Sequence, residues 1–104
     1  MSTQTANAGY VLIQSRNSGR IKSAPYAFFN RLLHQVREII PALVQGASYP
    51  LETLCGEEYW SSLTRSEVIL AGECMVHMVL HTDHLPELEL KYAPRTGSLE
   101  WGLK

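Results

Sequence analysis

Leu63 to Thr82, LTRSEVILAGECMVHMVLHT, constrains this chain more than any other stretch, because it carries both a helix start and a nearly all-round apolar helix. Thr64-Arg65-Ser66-Glu67 fits a capping box, in which the Thr side chain accepts from the backbone N–H three residues on and the Glu reaches back. Leu63 and Val68 supply the matching hydrophobic staple. Val68, Ala71, Gly72, Met75, Val76 and Val79 recur at three- and four-residue steps, which predicts one buried face of a helix. Ile69, Leu70, Cys74, Met78 and Leu80 lie off that stripe. A helix apolar on so much of its circumference is the central element of a small core. The remainder of the chain is what wraps around it.

With 104 residues, the chain has the length of one domain with its own core. Hydrophobic residues make up 45% and charged residues 18%, a globular composition that argues against a disordered or fibrous protein. Cys55 and Cys74 form no disulfide framework and no CxxC pair, which points to reduced thiols inside a cell. The first twenty residues lack the basic, apolar and cleavage segments of a secretory signal, and no run is long enough to span a bilayer. The expectation is a soluble, cytoplasmic protein without membrane contact. Its net charge of −1 hides an asymmetry. Residues 1–45 carry Arg16, Arg20, Lys22, Arg31 and Arg37 against Glu38 alone, a balance of +4, while residues 46–104 carry four bases against nine acids, a balance of −5. Such halves can hold an anionic partner, meet in a dimer or cancel within one fold.

Residues 1–9 are read as a flexible terminus and residues 10–104 as one domain. Tyr10-Val11-Leu12-Ile13 reads as a strand whose partner comes from elsewhere, followed by the turn chemistry of Ser15 to Gly19. Ser23-Ala24-Pro25 reads as a helix opening, with Ser23 as N-cap and Phe29, Leu32, Leu33, Val36 and Ile40 as the apolar stripe behind it. Pro41 ends or kinks that helix, and Ala42 to Val44 add at most another turn before Gly46. Leu51 to Leu63 reads as short helical turns broken at Gly56, with Tyr59 and Trp60 as core anchors. Beyond Leu85-Pro86, residues 87–92 and 98–103 alternate polar and apolar side chains around an Ala-Pro-Arg-Thr-Gly turn, which predicts a carboxy-terminal hairpin.

Helix, short helix, long helix and hairpin is the order of a winged-helix domain, so the expected fold class is α+β: a three-helix core, a carboxy-terminal β-hairpin, and Tyr10 to Ile13 as a third strand. The block from Leu54 to Leu88 also resembles a pattern in small bacterial proteins of phages, plasmids and other mobile elements. In that pattern a Gly-x-x-(aromatic)-Trp-x-x-Leu segment leads to an Ala-Gly helix ending near Leu-Pro, matched here by Gly56, Tyr59, Trp60, Leu63, Ala71, Gly72, Leu85 and Pro86. The resemblance covers about a third of the chain and carries no catalytic signature. It implies a scaffold and no activity.

Glu73, His77 and His81 follow at i, i+4 and i+8, with His84 just beyond, a spacing by which His77, His81 and His84 can share a divalent metal. Met78 stands where HExxH requires glutamate, so zinc-protease chemistry is excluded. The same spacing is that of a helix's solvent side, which is the preferred reading, and a pH-sensitive surface is a further one because histidine titrates near neutrality. Cys74 and His77 lack an orienting third residue, and no cofactor or catalytic residue is expected. Arg16, Arg20 and Lys22, extended by Arg31 and Arg37 and by Arg95 on the wing, are candidate phosphate contacts. The long helix itself offers one Arg against two Glu, the wrong charge for a major groove. Tyr92, Trp101 and Met78 are candidate protein-interface residues. The leading expectation is a non-enzymatic protein-binding or regulatory module of bacterial or mobile-element origin, working with a protein partner or as a homodimer. A DNA-binding regulator and a histidine-rich metal-binding protein are the alternatives.

Overall fold

The computed structural model describes residues 9–14, 20–93 and 98–104, and the side chains of residues 92, 93 and 98 lie outside that description. The expected flexible terminus before Gly9 and the turns at Ser15 to Gly19 and Pro94 to Gly97 also lie outside the described residues. Among the described residues the fold is α+β, with four α-helices and two small antiparallel sheets.

The first sheet is a hairpin of β1 (Tyr10–Gln14) and β2 (Ile21–Pro25), in register from Tyr10 opposite Pro25 to Gln14 opposite Ile21. Ser23, expected to cap a helix, lies within β2, and the first helix α1 (Tyr26–Ile39) begins one residue after Pro25. The physical reason is the need of β1 for a partner. Pro25, with φ −59° and ψ 129°, gives the chain an extended exit from the strand, and the Tyr26 N–H closes the ladder onto the Gly9 carbonyl. β1 therefore does not extend the carboxy-terminal sheet.

Helix α1 ends at Ile39 and passes into a 3₁₀ turn at Ile40–Ala42, where Pro41 has no N–H to continue an α-helix. β3 (Ser48–Tyr49) follows, then α2 (Leu51–Cys55) and α3 (Glu57–Ser61), separated at Gly56, whose φ of +88° suits glycine. Helix α4 (Arg65–Leu80) opens on the complete capping box: Glu67 N–H donates to Thr64 Oγ1 and Thr64 N–H donates to Glu67 Oε1 at 2.8 Å. The second sheet places β5 (Ser98–Leu103) between β3 and β4 (Leu88–Ala93), so the two-residue β3 supplies the third strand.

The core draws Phe29, Leu32 and Val36 from α1, Leu54 and Cys55 from α2, and Leu85, Leu88 and Trp101 from the carboxy-terminal region. From α4 it takes Ala71, Cys74, Met75, Val76 and Met78, while Val68, Gly72 and Val79 are half-buried. The buried face is thus turned toward Cys74 and Met78, relative to the stripe read from periodicity. A helix apolar nearly all round has no strong directional preference, so its packing partners decide which side is innermost. Ile13 and Ala24 seal the hairpin onto this core.

Candidate functional site

Alternation along β1 turns Val11 and Ile13 inward and Tyr10 and Leu12 outward. Directly opposed residues share a face, so Ile21, Ser23 and Pro25 join Tyr10, Leu12 and Gln14 on the outer surface. Tyr10, Leu12 and Ile21 are 62%, 65% and 64% exposed. One side of the hairpin is sealed on the core, and the other presents these three apolar side chains to solvent, with Ser23 and Gln14 among them.

Two polar contacts tie the sealed side to α4. Lys22, on the same face as Ile13, places Nζ 2.8 Å from Glu73 Oε1. The Gln14 N–H donates to His77 Nδ1 at 3.0 Å, across 63 positions of sequence. An imidazole that accepts at Nδ1 is neutral and carries its proton on Nε2. His77 also meets the Phe29 ring edge-on at 6.2 Å between centroids and the His81 ring at 5.9 Å, while His84 packs on Phe29 at 5.9 Å. Burial, chiefly, together with the neighbouring His81 and His84, holds the His77 imidazole below its ordinary pKa of 6.5.

Of the three histidines expected to share a metal, His77 and His84 therefore meet at Phe29, and His81 stands beside His77. Among the described residues no group of three His, Cys, Asp or Glu side chains is placed to hold a metal ion. The assigned tautomer of His77 also leaves no lone pair on Nε2 for a ligand bond. The stripe is not wholly a solvent side either: Glu73 pairs with Lys22, His77 is half-buried beneath β1, and His81 is exposed.

Among the described residues, Lys22, Arg31 and Arg37 do not form one stripe. Lys22 faces Glu73, the Arg31 guanidinium lies 5.9 Å from the Tyr59 ring centroid, and Arg37 Nη1 donates to the His84 carbonyl. Six positions apart on α1, Arg31 and Arg37 point about 120° away from each other around the helix. Arg20 is exposed, and Arg16 and Arg95 lie outside the described residues.

Of the three residues expected at a protein interface, Trp101 is 2% exposed and Met78 fully buried. Both belong to the core, because β5 is the central strand of its sheet and Met78 lies on the inner line of α4. The side chain of Tyr92 lies outside the described residues. Cys55 and Cys74 are both buried, and burial pushes both thiols up to about 12. Neither supplies a thiolate near neutral pH. Tyr59 Oη is buried without a hydrogen-bond partner, and burial raises its pKa. No helix among the described residues is long and apolar enough to cross a membrane.

The chain matches no protein-family model, no curated protein and no solved structure. The surface that sequence reasoning missed is the outer face of the hairpin. Its signal was present in the alternation of Tyr10 and Leu12 with Val11 and Ile13, but only the pairing with Ile21 to Pro25 makes that alternation a two-sided sheet.

Proposed function

We propose that this protein is a non-enzymatic binding module of bacterial or mobile-element origin, built on a winged-helix-like scaffold, whose amino-terminal hairpin docks a protein partner. The scaffold reading is supported by the order α1, β3, α2 and α3, α4, β4, β5, and by the strand order β3-β5-β4. The observation that carries the docking reading is the outer apolar face of Tyr10, Leu12 and Ile21, on a sheet of only two strands. Contiguous apolar surface of this kind marks interaction sites in small proteins. Residues 1–45, to which the hairpin belongs, carry a balance of +4, which favours a partner that combines apolar side chains with carboxylates. Recognition through α4 in a DNA groove fits less well, because the hairpin engages Glu73 and His77 on that helix.

The test compares wild type with the double variant Leu12→Ser, Ile21→Ser in light scattering and in pull-downs from host lysate. A protein retained by the wild type and lost by the variant supports the reading. A partnerless monomer, or the same captured proteins with both forms, contradicts it. Loss of self-association in the variant would identify the partner as a second copy. Fluorescence anisotropy with mixed-sequence duplex DNA tests the alternative. Binding that weakens steeply with salt, with a slope flattened by Arg16→Ala and Arg20→Ala, would replace this reading with a DNA-binding regulator.

A further inference from the structure

We propose that His77 is an acid-operated latch for the amino-terminal hairpin: the neutral imidazole holds the edge of β1 on α4 through the Gln14 amide, and the imidazolium releases it. In an antiparallel pair, backbone donors point alternately toward the partner strand and away from it. The Gln14 N–H points away from β2, toward α4, and His77 Nδ1 is its acceptor at 3.0 Å. Protonation converts that acceptor into a second donor, so two N–H groups then face each other across a hydrogen-bond distance. The attraction is replaced by repulsion.

The groups around His77 leave the cation poorly compensated. On α4 itself they are Glu73 and His81, and Glu73 is paired with Lys22 of β2. From the segment after α4, His84 packs on Phe29 at 5.9 Å between centroids, and Arg37 of α1 binds the His84 carbonyl. Phe29, on α1, presents a ring to both imidazoles. The carboxyl end of α4 favours a positive charge, but burial and the two neighbouring histidines oppose it. Among the described residues the hairpin is also tied by Val11, Ile13 and Ala24, which pack on the core, and by the Lys22–Glu73 pair. Among these ties, the Gln14–His77 hydrogen bond is the one whose acceptor is an imidazole. This role concerns attachment of the hairpin and does not depend on what the hairpin binds.

The experiment is NMR on the full chain from pH 7.5 to 5. Imidazole shifts follow His77, and Gln14 amide exchange is expressed as protection relative to the intrinsic rate at each pH. The proposal predicts a fall of about tenfold in Gln14 protection, in step with His77 protonation, while the Trp101 amide in β5 keeps its protection. In His77→Gln, whose side chain does not titrate, the step disappears. Lys22→Ala lowers hairpin protection at both ends of the range and leaves the step in place. Unchanged Gln14 protection in the wild type while His77 protonates would overturn the proposal, even if no variant folds. Persistence of the step in a folded His77→Gln would do the same.

Discussion

The two sheets of this protein are similar in kind and opposite in anchorage. The carboxy-terminal sheet puts its central strand into the core through Trp101, adds Leu88 from β4, and packs Leu90, Leu99 and Leu103 around them. The amino-terminal hairpin contributes Ile13 and Ala24, packs Val11 beside them, and among the described residues is also tied by the Lys22–Glu73 ion pair and the Gln14–His77 hydrogen bond. A small antiparallel sheet is thus a structural wall in one place and a docked flap in the other. The deciding quantity is buried apolar surface per strand, since local stability follows buried contacts more than strand pairing alone.

The largest effect separating them is expected at Trp101. Trp101→Ala removes a large buried side chain from the central strand and should destabilise the whole domain by about 3–5 kcal/mol in urea unfolding. Ile13→Ala also opens a cavity, but in the hairpin. It should cost about 2–5 kcal/mol if the hairpin unfolds with the core, and much less in the global transition if the hairpin opens first. Thr64→Ala, which breaks the capping box of α4, should cost about 1 kcal/mol and leave the difference between the sheets unchanged.

Acid sharpens the comparison. Because the folded pKa of His77 lies below 6.5, the unfolded chain binds more protons near pH 6, and stability rises with pH there. The stability associated with neutral His77 is fully present above pH 6.5. It declines as pH falls toward the lower folded pKa and levels off beneath it. Urea unfolding between pH 8 and 5 should show this decline in wild type and less of it in His77→Gln. At the small end, Leu12→Ser should change stability by no more than about 0.5 kcal/mol, because Leu12 is 65% exposed and outside the core.

Much of this architecture was legible from residue order, where the signals are local. The capping box at Thr64 and Glu67, the break at Gly56, the helix end before Pro41 and the alternating carboxy-terminal hairpin all depend on neighbours within a few positions. What was not legible depends on distance. Ser23-Ala24-Pro25 has cap chemistry, yet its backbone pairs with β1, and local preference yields to the need of an edge strand for a partner. β3 is two residues long and carries no period of its own. The histidines were legible as a row but not as neighbours of Phe29 or as an acceptor for Gln14, because α1 and β1 supply those contacts. Trp101 and Met78 looked available for a partner only because sequence does not reveal which apolar side chains the core uses first.

Native-state hydrogen exchange, comparing amides of β1 and β2 with those of β4 and β5 near neutral pH under increasing low concentrations of urea, tests the contrast between the sheets most directly. The account predicts that hairpin amides exchange through a smaller opening, with lower free energy and weaker urea dependence, while β4 and β5 amides exchange only by global unfolding. A single opening free energy and a single urea slope for both sheets would contradict it.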